Sequence, residues 1–165
     1  NQKSSLPRCL LSKKFNMLFH THFVFSLLVG QVFSYYIGGG FIPFFLIVIF
    51  GVFPDIDQGR SFMSKLLFPF SLLAQISGHR RLFHSLLMPL TLLVGFHVLG
   101  FTLFGVVSFV GYCSHLVLDG FTKQGVRLLF PFSSITLKGP IRVGSFVEKV
   151  IFFLVVMGII LLSLF

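Results

Sequence analysis

The chain has 165 residues, enough for one domain, and is 55% hydrophobic but only 10% charged, with a mean hydropathy of +0.98. Soluble domains carry about 25% charged residues, and a soluble fold of this size has too little interior to hide so much apolar surface, so a bilayer has to be the solvent for much of it. The formal charge of +9, from 13 Lys and Arg against four acids, does not make a nucleic-acid surface: the basic residues sit between apolar segments and form no helical stripe with interleaved aromatics.

Residues 1–16 are polar and basic and read either as a short cytoplasmic tail or as sequence upstream of a start at Met17; residues 17–165 read as a single membrane-embedded domain. Five apolar stretches follow. The first, about His20–Ile37, ends at Gly38-Gly39-Gly40, and the second, Phe41–Phe53, stops at Pro54-Asp55. The third is about Leu82–Val98; Gly100 separates it from the fourth, about Phe101–Leu118, which stops at Asp119-Gly120; the fifth is about Val147–Phe165. Eighteen helical residues span ~27 Å, close to the hydrocarbon thickness, and the second stretch is short for a span, which suits either a smaller tilt or a thinned bilayer. The expected fold class is therefore all-α, an integral membrane bundle of about five helices.

Two polar segments remain. Residues 54–81 carry Arg60, Lys65, Arg80 and Arg81, and their Phe62–Ile76 stretch suits the membrane interface. Residues 119–146 carry Lys123, Arg127, Lys138 and Arg142 with Gly and Pro punctuation, and read as loop. Five crossings place both segments and the N-terminal tail on one side, which then holds all 13 Lys and Arg. The positive-inside rule puts that side in the cytoplasm. Cys9 and Cys113 make no disulfide framework, and Cys113 reads as a packing residue.

The acids Asp55, Asp57, Asp119 and Glu148 and the histidines His20, His22, His79, His84 and His115 all fall at or near the ends of segments on that side; His97 falls at the other. His115 and Asp119, four apart, share one helical face, and imidazole with carboxylate suits Zn²⁺ or a similar divalent ion. Asp55 and Asp57 follow Pro54, and in an extended stretch they would point the same way, to bridge ions or to bind one and orient a histidine. His79 is placed before the third helix and His84 inside it. Arg80 or Arg81 matches the geometry of an anionic phosphate group. Simpler readings stand beside these. Asp55 and Asp57 can end a helix in water, Arg80 and Arg81 can be topology charges, Glu148 can complement a helix N-terminus, and His20 and His97 read as solvated or hydrogen-bonded.

In order along the chain stand Thr21-His22, Pro54-Asp55-Ile56-Asp57, His79-Arg80-Arg81-Leu82-Phe83-His84-Ser85, Ser114-His115-Leu116-Val117-Leu118-Asp119, Thr122-Lys123-Gln124-Gly125 and Pro131-Phe132-Ser133. This ordered set, over about Met17–Lys149, resembles the YdjM-like family of inner-membrane metal-dependent hydrolases, also described as LexA-binding. Arg81 stands where that family often has glycine and Phe83 where it often has threonine, which touches the local turn and a hydroxyl but spares both histidines. The family is in turn distantly similar to helical zinc-dependent phospholipase C enzymes, which use a His-x-x-x-Asp pair on a helix. The resemblance implies a prokaryotic cytoplasmic membrane protein with its site facing the cytoplasm. The expected activity is hydrolysis of a phosphoester, lipid-linked or otherwise, with one or more divalent ions, zinc first among them. Metal ligands would come from His22, Asp55, Asp57, His79, His84, His115 and Asp119, Arg80 would steady substrate charge, and Asp57 or Glu148 would act as base. A non-catalytic regulatory metal protein, or a metal or proton transporter, is the alternative; a carrier usually needs polar groups near the midplane, and the helix centres hold almost none.

Overall fold

The computed structural model describes residues 16–37, 40–57 and 80–164. The expectations that fall on residues 1–15, on Arg60, Lys65 and Phe62–Ile76, and on His79 lie outside the described residues. The elements are α1 (Asn16–Ile37), α2 (Phe41–Val52), a 3₁₀ turn (Phe53–Asp57), the single turn α3 (Arg80–Phe83), α4 (Leu87–Val98), α5 (Thr102–Phe121) and α6 (Phe146–Ser163). The described residues are helical with no strand; two isolated bridges, Thr122 with Ile141 and Val126 with Leu137, fold the loop between α5 and α6 back on itself.

Helix α5 is the centre. It packs on α1, α2, α4 and the 3₁₀ turn, while α6 lies against α1. Helices α5 and α6 are long and apolar enough to cross a membrane; α2 and α4 are shorter, at 12 residues each. Helix α6 turns Phe153, Leu154, Met157 and Leu161 outward, and a helix apolar all round suits hydrocarbon rather than water. The core beneath α5 gathers Tyr112, Leu116 and Val126, with Phe50, Phe53, Met88, Leu92 and Leu128 against them.

Two glycines set how closely α2 meets α5 and α1. A Cβ on Gly111 would run into the backbone of Ile47, and one on Gly51 into the side chain of Ser26 on α1. Close backbone approach through small residues is how helices gain dispersion contacts where water offers no driving force. The serines in these contacts leave no stray polarity: the hydroxyls of Ser26, Ser108 and Ser114 donate to the carbonyls of His22, Phe104 and Gly111 on their own helices.

Both ends of the bundle are identifiable. At one, Gly100 turns the chain from α4 to α5 at φ +83°, His97 Nδ1 meets Thr102 Oγ1 at 3.0 Å, and Gln31 of α1 donates to Ser163 of α6 at 2.9 Å. At the other meet the start of α1, the 3₁₀ turn, the break after α3, the end of α5 and the start of α6.

Two local expectations are corrected. Asp55-Ile56-Asp57 is not extended: the chain leaves α2 through Phe53 at helical φ/ψ and tightens into a 3₁₀ turn. Residues two apart on such a turn are ~120° from facing the same way. His84 does not lie inside a helix: α3 closes at Phe83, and α4 opens only at Leu87. Pro89 lacks an N–H, and its ring disfavours a helical carbonyl at Ser85. The loosened backbone is instead held by tertiary partners. Tyr112 Oη donates to Phe83 O at 2.6 Å, Ser85 Oγ to Leu82 O at 2.7 Å, and Leu86 N–H to Leu128 O at 2.9 Å.

Overpacking a close contact costs ~1–3 kcal/mol, so Gly111→Ala is expected to lower the thermal midpoint in detergent. At Gly95, also helical, a Cβ meets nothing within 4 Å, and Gly95→Ala is expected to match or exceed the parent. Equal midpoints for the two variants would remove the close α2–α5 approach as a determinant of stability.

Candidate metal centre

Five side chains from four elements converge at the charged end. His22 comes from the first turns of α1, where its neighbour His20 faces outward and packs edge-on to Phe19. Asp55 comes from the 3₁₀ turn, His84 from the break before α4, and His115 with Asp119 from the last turns of α5, one above the other. His22, Asp55 and His115 are buried, and His84 and Asp119 are nearly so.

The separations are informative. His22 Nε2 lies 3.3 Å from Asp119 Oδ1, His84 Nε2 3.6 Å from Asp119 Oδ2, and His115 Nε2 3.5 Å from Asp119 Oδ2 and 3.8 Å from Asp55 Oδ1. Direct N–H···O bonds run about 2.7–3.2 Å, and these separations lie just beyond that range. Two ligands at ~2.1 Å from one tetrahedral ion are about 3.4 Å apart. The donor atoms form two overlapping groups, His22–His115–Asp119 and Asp55–His84–His115, within each of which the ligand atoms lie within 4.8 Å of one another.

His115 carries the test of fit. Its Nδ1 is 2.9 Å from the carbonyl oxygen of Gly51, and a carbonyl only accepts, so Nδ1 bears the proton. In its neutral form the ring presents a lone pair at Nε2, and among the described residues that buried atom makes no hydrogen bond while it faces two carboxylates. A lone pair aimed at anions is repulsive unless a cation lies among them, and a ring held by a main-chain oxygen while its far nitrogen ligates is the usual arrangement of a metal-bound histidine. The His22 ring stacks on the His115 ring at 3.9 Å and 12°, and neither of its nitrogens makes a hydrogen bond. His84, edge-on to His115, is pushed down chiefly by burial, against the pull of both carboxylates. Burial thus favours its neutral form, which carries a lone pair. The residues fit a divalent ion: two carboxylates supply the compensating charge and three imidazoles the nitrogen donors.

The chain belongs to the YdjM inner membrane protein family. That family's model matches residues 17–164. Among curated proteins the chain is 38% identical over 87 residues to the inner membrane protein YdjM of Escherichia coli (strain K12), 47% of this chain and 43% of that protein, and the YdjM protein of Shigella flexneri matches over the same extent. It is 32% identical over 106 residues to YvsG of Bacillus subtilis (strain 168), 59% of this chain and 63% of that protein. The matches thus span about half the length of these curated relatives. No solved structure matches the chain.

The other residues named from the sequence are placed differently. Glu148 stands outside both ligand groups, with both carboxylate oxygens engaged: Oε1 accepts from Thr21 Oγ1 at 3.2 Å, and Oε2 accepts from the Gly144 N–H. Its own N–H donates to Ser145 Oγ, so Ser145 and Glu148 cap α6 in the manner of a capping box. Arg80 opens α3 four residues before His84, and Asp57 closes the 3₁₀ turn; neither side chain is among those described. His97 is exposed at the opposite end. The Thr122-x-x-Gly125 pattern is architectural. Thr122 Oγ1 donates to Asp119 O and accepts from the Gly125 N–H, and Gly125, at φ +69°, leaves no room for a side chain beside Leu137. It fixes the end of α5 just after Asp119. Sequence reading passed over Gly51, whose contribution is a backbone carbonyl; its one sequence signal is a glycine interrupting a β-branched and aromatic run.

His115→Ala is expected to lower bound metal per folded protein at least ~10-fold, and His97→Ala to leave it unchanged, by elemental analysis in one detergent. Equal retention in both would take His115 out of the centre.

Proposed function

We propose that the protein is an integral membrane hydrolase that uses one or two divalent ions, zinc the best suited, to cleave a phosphoester at the cytoplasmic surface. The observation that carries this reading is the placement of His115, its Nδ1 against the Gly51 carbonyl and its buried Nε2 facing Asp55 and Asp119 at separations suited to shared ligation. His22, His84, His115, Asp55 and Asp119 would hold the metal, with His79 as a further ligand. A divalent ion in such a set lowers the pKa of a water molecule and polarises a phosphoryl oxygen. The chain's own groups do the rest. Arg80, ahead of His84, steadies the phosphate's charge. Asp57, two residues beyond Asp55, receives the proton of the attacking water. The P–O ester bond breaks, and the departing oxygen takes up a proton and leaves as an alcohol.

Helices α1, α2, α4, α5 and α6 would be the five membrane crossings. Every Lys and Arg among the described residues belongs to the α3 turn, to the loop after α5 or to the first turn of α6, at the end that carries the histidines and carboxylates. The positive-inside rule then assigns that end to the cytoplasm. A transport function is disfavoured by the position of the ligand groups at one end of the bundle and by the inward-bonded serines at mid-helix.

Purified protein is expected to hydrolyse at least one phosphomonoester or phosphodiester in a screen. Chelation should abolish turnover and Zn²⁺ or Mn²⁺ restore it; activity indifferent to chelation would defeat the reading. For topology, single cysteines at Gly100 and Arg142 in a cysteine-free background should react with a membrane-impermeant maleimide from opposite sides. Labelling of both from one side would rule out five crossings.

A further inference from the structure

A cavity of about 360 Å³ lies between α1, α5 and the start of α6. Its wall is hydrocarbon, from Phe25 of α1, Val117 and Phe121 of α5, Val143 of the loop and Ile151 of α6. The Thr21 hydroxyl and Glu148 carboxylate at its edge are bonded to one another, and Thr122 Oγ1 is bonded to Asp119 O. Val117 and Phe121 are 50% and 54% exposed on the outer face of α5, so the cavity's rim reaches the surface that meets lipid. At its inner side stands His22. The ring of His22 forms part of the wall, and its Nε2 is 3.3 Å from Asp119. Of the cluster, His22 alone lines the slot, so a molecule filling it meets the cluster through that ring.

Such a slot fits an amphiphile with a hydrocarbon tail and an anionic head. Its volume is at the lower end of the ~300–1,000 Å³ usual for ligand pockets, which favours one chain over two. Transfer of a chain from bilayer to slot gains nothing from the hydrophobic effect, because the lipid is as apolar as the wall. The slot's effect is positional: it fixes the depth and direction of the chain, and with them the place of the head relative to His22 and Asp119. We propose that this slot holds a single hydrocarbon chain of the substrate, so that the phosphoester cleaved is carried on a lipid; this rests on the hydrolase reading above.

A long-chain alkyl phosphonate with a diazirine at its chain end tests the slot without turnover, since its carbon–phosphorus bond is not hydrolysed. Photolysis in detergent with the metal-loaded protein, followed by peptide mapping, is expected to label Phe25, Val117–Phe121 and Ile151. Unlabelled alkyl phosphate of equal length should suppress that labelling, and the matching alcohol should not. Val117→Trp, which fills the slot from its rim, is expected to reduce labelling about 10-fold while metal content stays at the parent level. Labelling spread over the outward residues of α6, such as Phe153 and Leu154, or equal competition by the alcohol, would mean ordinary lipid contact and overturn the proposal. So would undiminished slot labelling in Val117→Trp. Hydrolysis of short and long esters at equal rates with the slot unlabelled would sink the slot and leave the hydrolase standing. A labelled slot on a protein that hydrolyses nothing would sink the hydrolase and leave a lipid-phosphate binding site.

Discussion

Two carboxylates and three imidazoles are held out of water at one end of the bundle, and the cost of burying ionised carboxylates governs the design around them. An isolated buried carboxylate loses several kcal/mol of solvation even after relaxation. Asp55 is buried and Asp119 nearly so. The groups that face them are imidazole nitrogens at 3.3–3.8 Å, and for His115 the main chain has already taken the proton-bearing nitrogen. A positive charge within the cluster would offset that cost, a condition a divalent ion meets.

The scaffold answers this by spending its small residues near the cluster. Gly111 stands one turn before His115 on α5 and lets α2 come close; Gly51, on the facing part of α2, lets Ser26 and α1 close in. Three helices are thereby brought to the distance at which His22 and His115 stack and Gly51 reaches His115. The 3₁₀ turn that follows α2 immediately delivers Asp55. Below Asp119, Thr122 stops the helix so that the loop folds back under it with Val126 in the core. Packing and cluster are thus one construction, with the same residues closing helix distances and aiming the histidines and carboxylates.

Much of this was legible from residue order. The apolar stretches correspond to the helices because hydrophobic runs of that length, ended by Gly or Pro-Asp, leave few alternatives. His115 and Asp119 share a face because helical periodicity is strict. What escaped was local backbone form at the segment ends. The Asp-x-Asp stretch looks extended after a proline, yet proline's φ is equally at home in a helical turn, and here the turn continues from α2. His84 seemed to belong to a helix because the apolar pattern runs on through it; Pro89, five residues later, carried the contrary signal through its clash one turn back. Glu148 had the spacing of a capping residue, Ser145-x-x-Glu148, as plainly as it had that of a ligand. The slot beside His22 had no signature, since its walls are apolar residues like those of any membrane helix and only their arrangement in space leaves the room.

The bond from His115 to Gly51 has one more consequence. Its acceptor is main chain and persists whatever amino acid occupies position 51; substitution there alters bulk, never the acceptor itself. Since a side chain at 51 would occupy the place of the Ser26 hydroxymethyl group, positions 26 and 51 draw on one shared volume, and room lost at either can be recovered only at the other. The protonation pattern of a histidine on α5 is in this way written as a steric covenant between α1 and α2, two helices that contribute no atom to its ring.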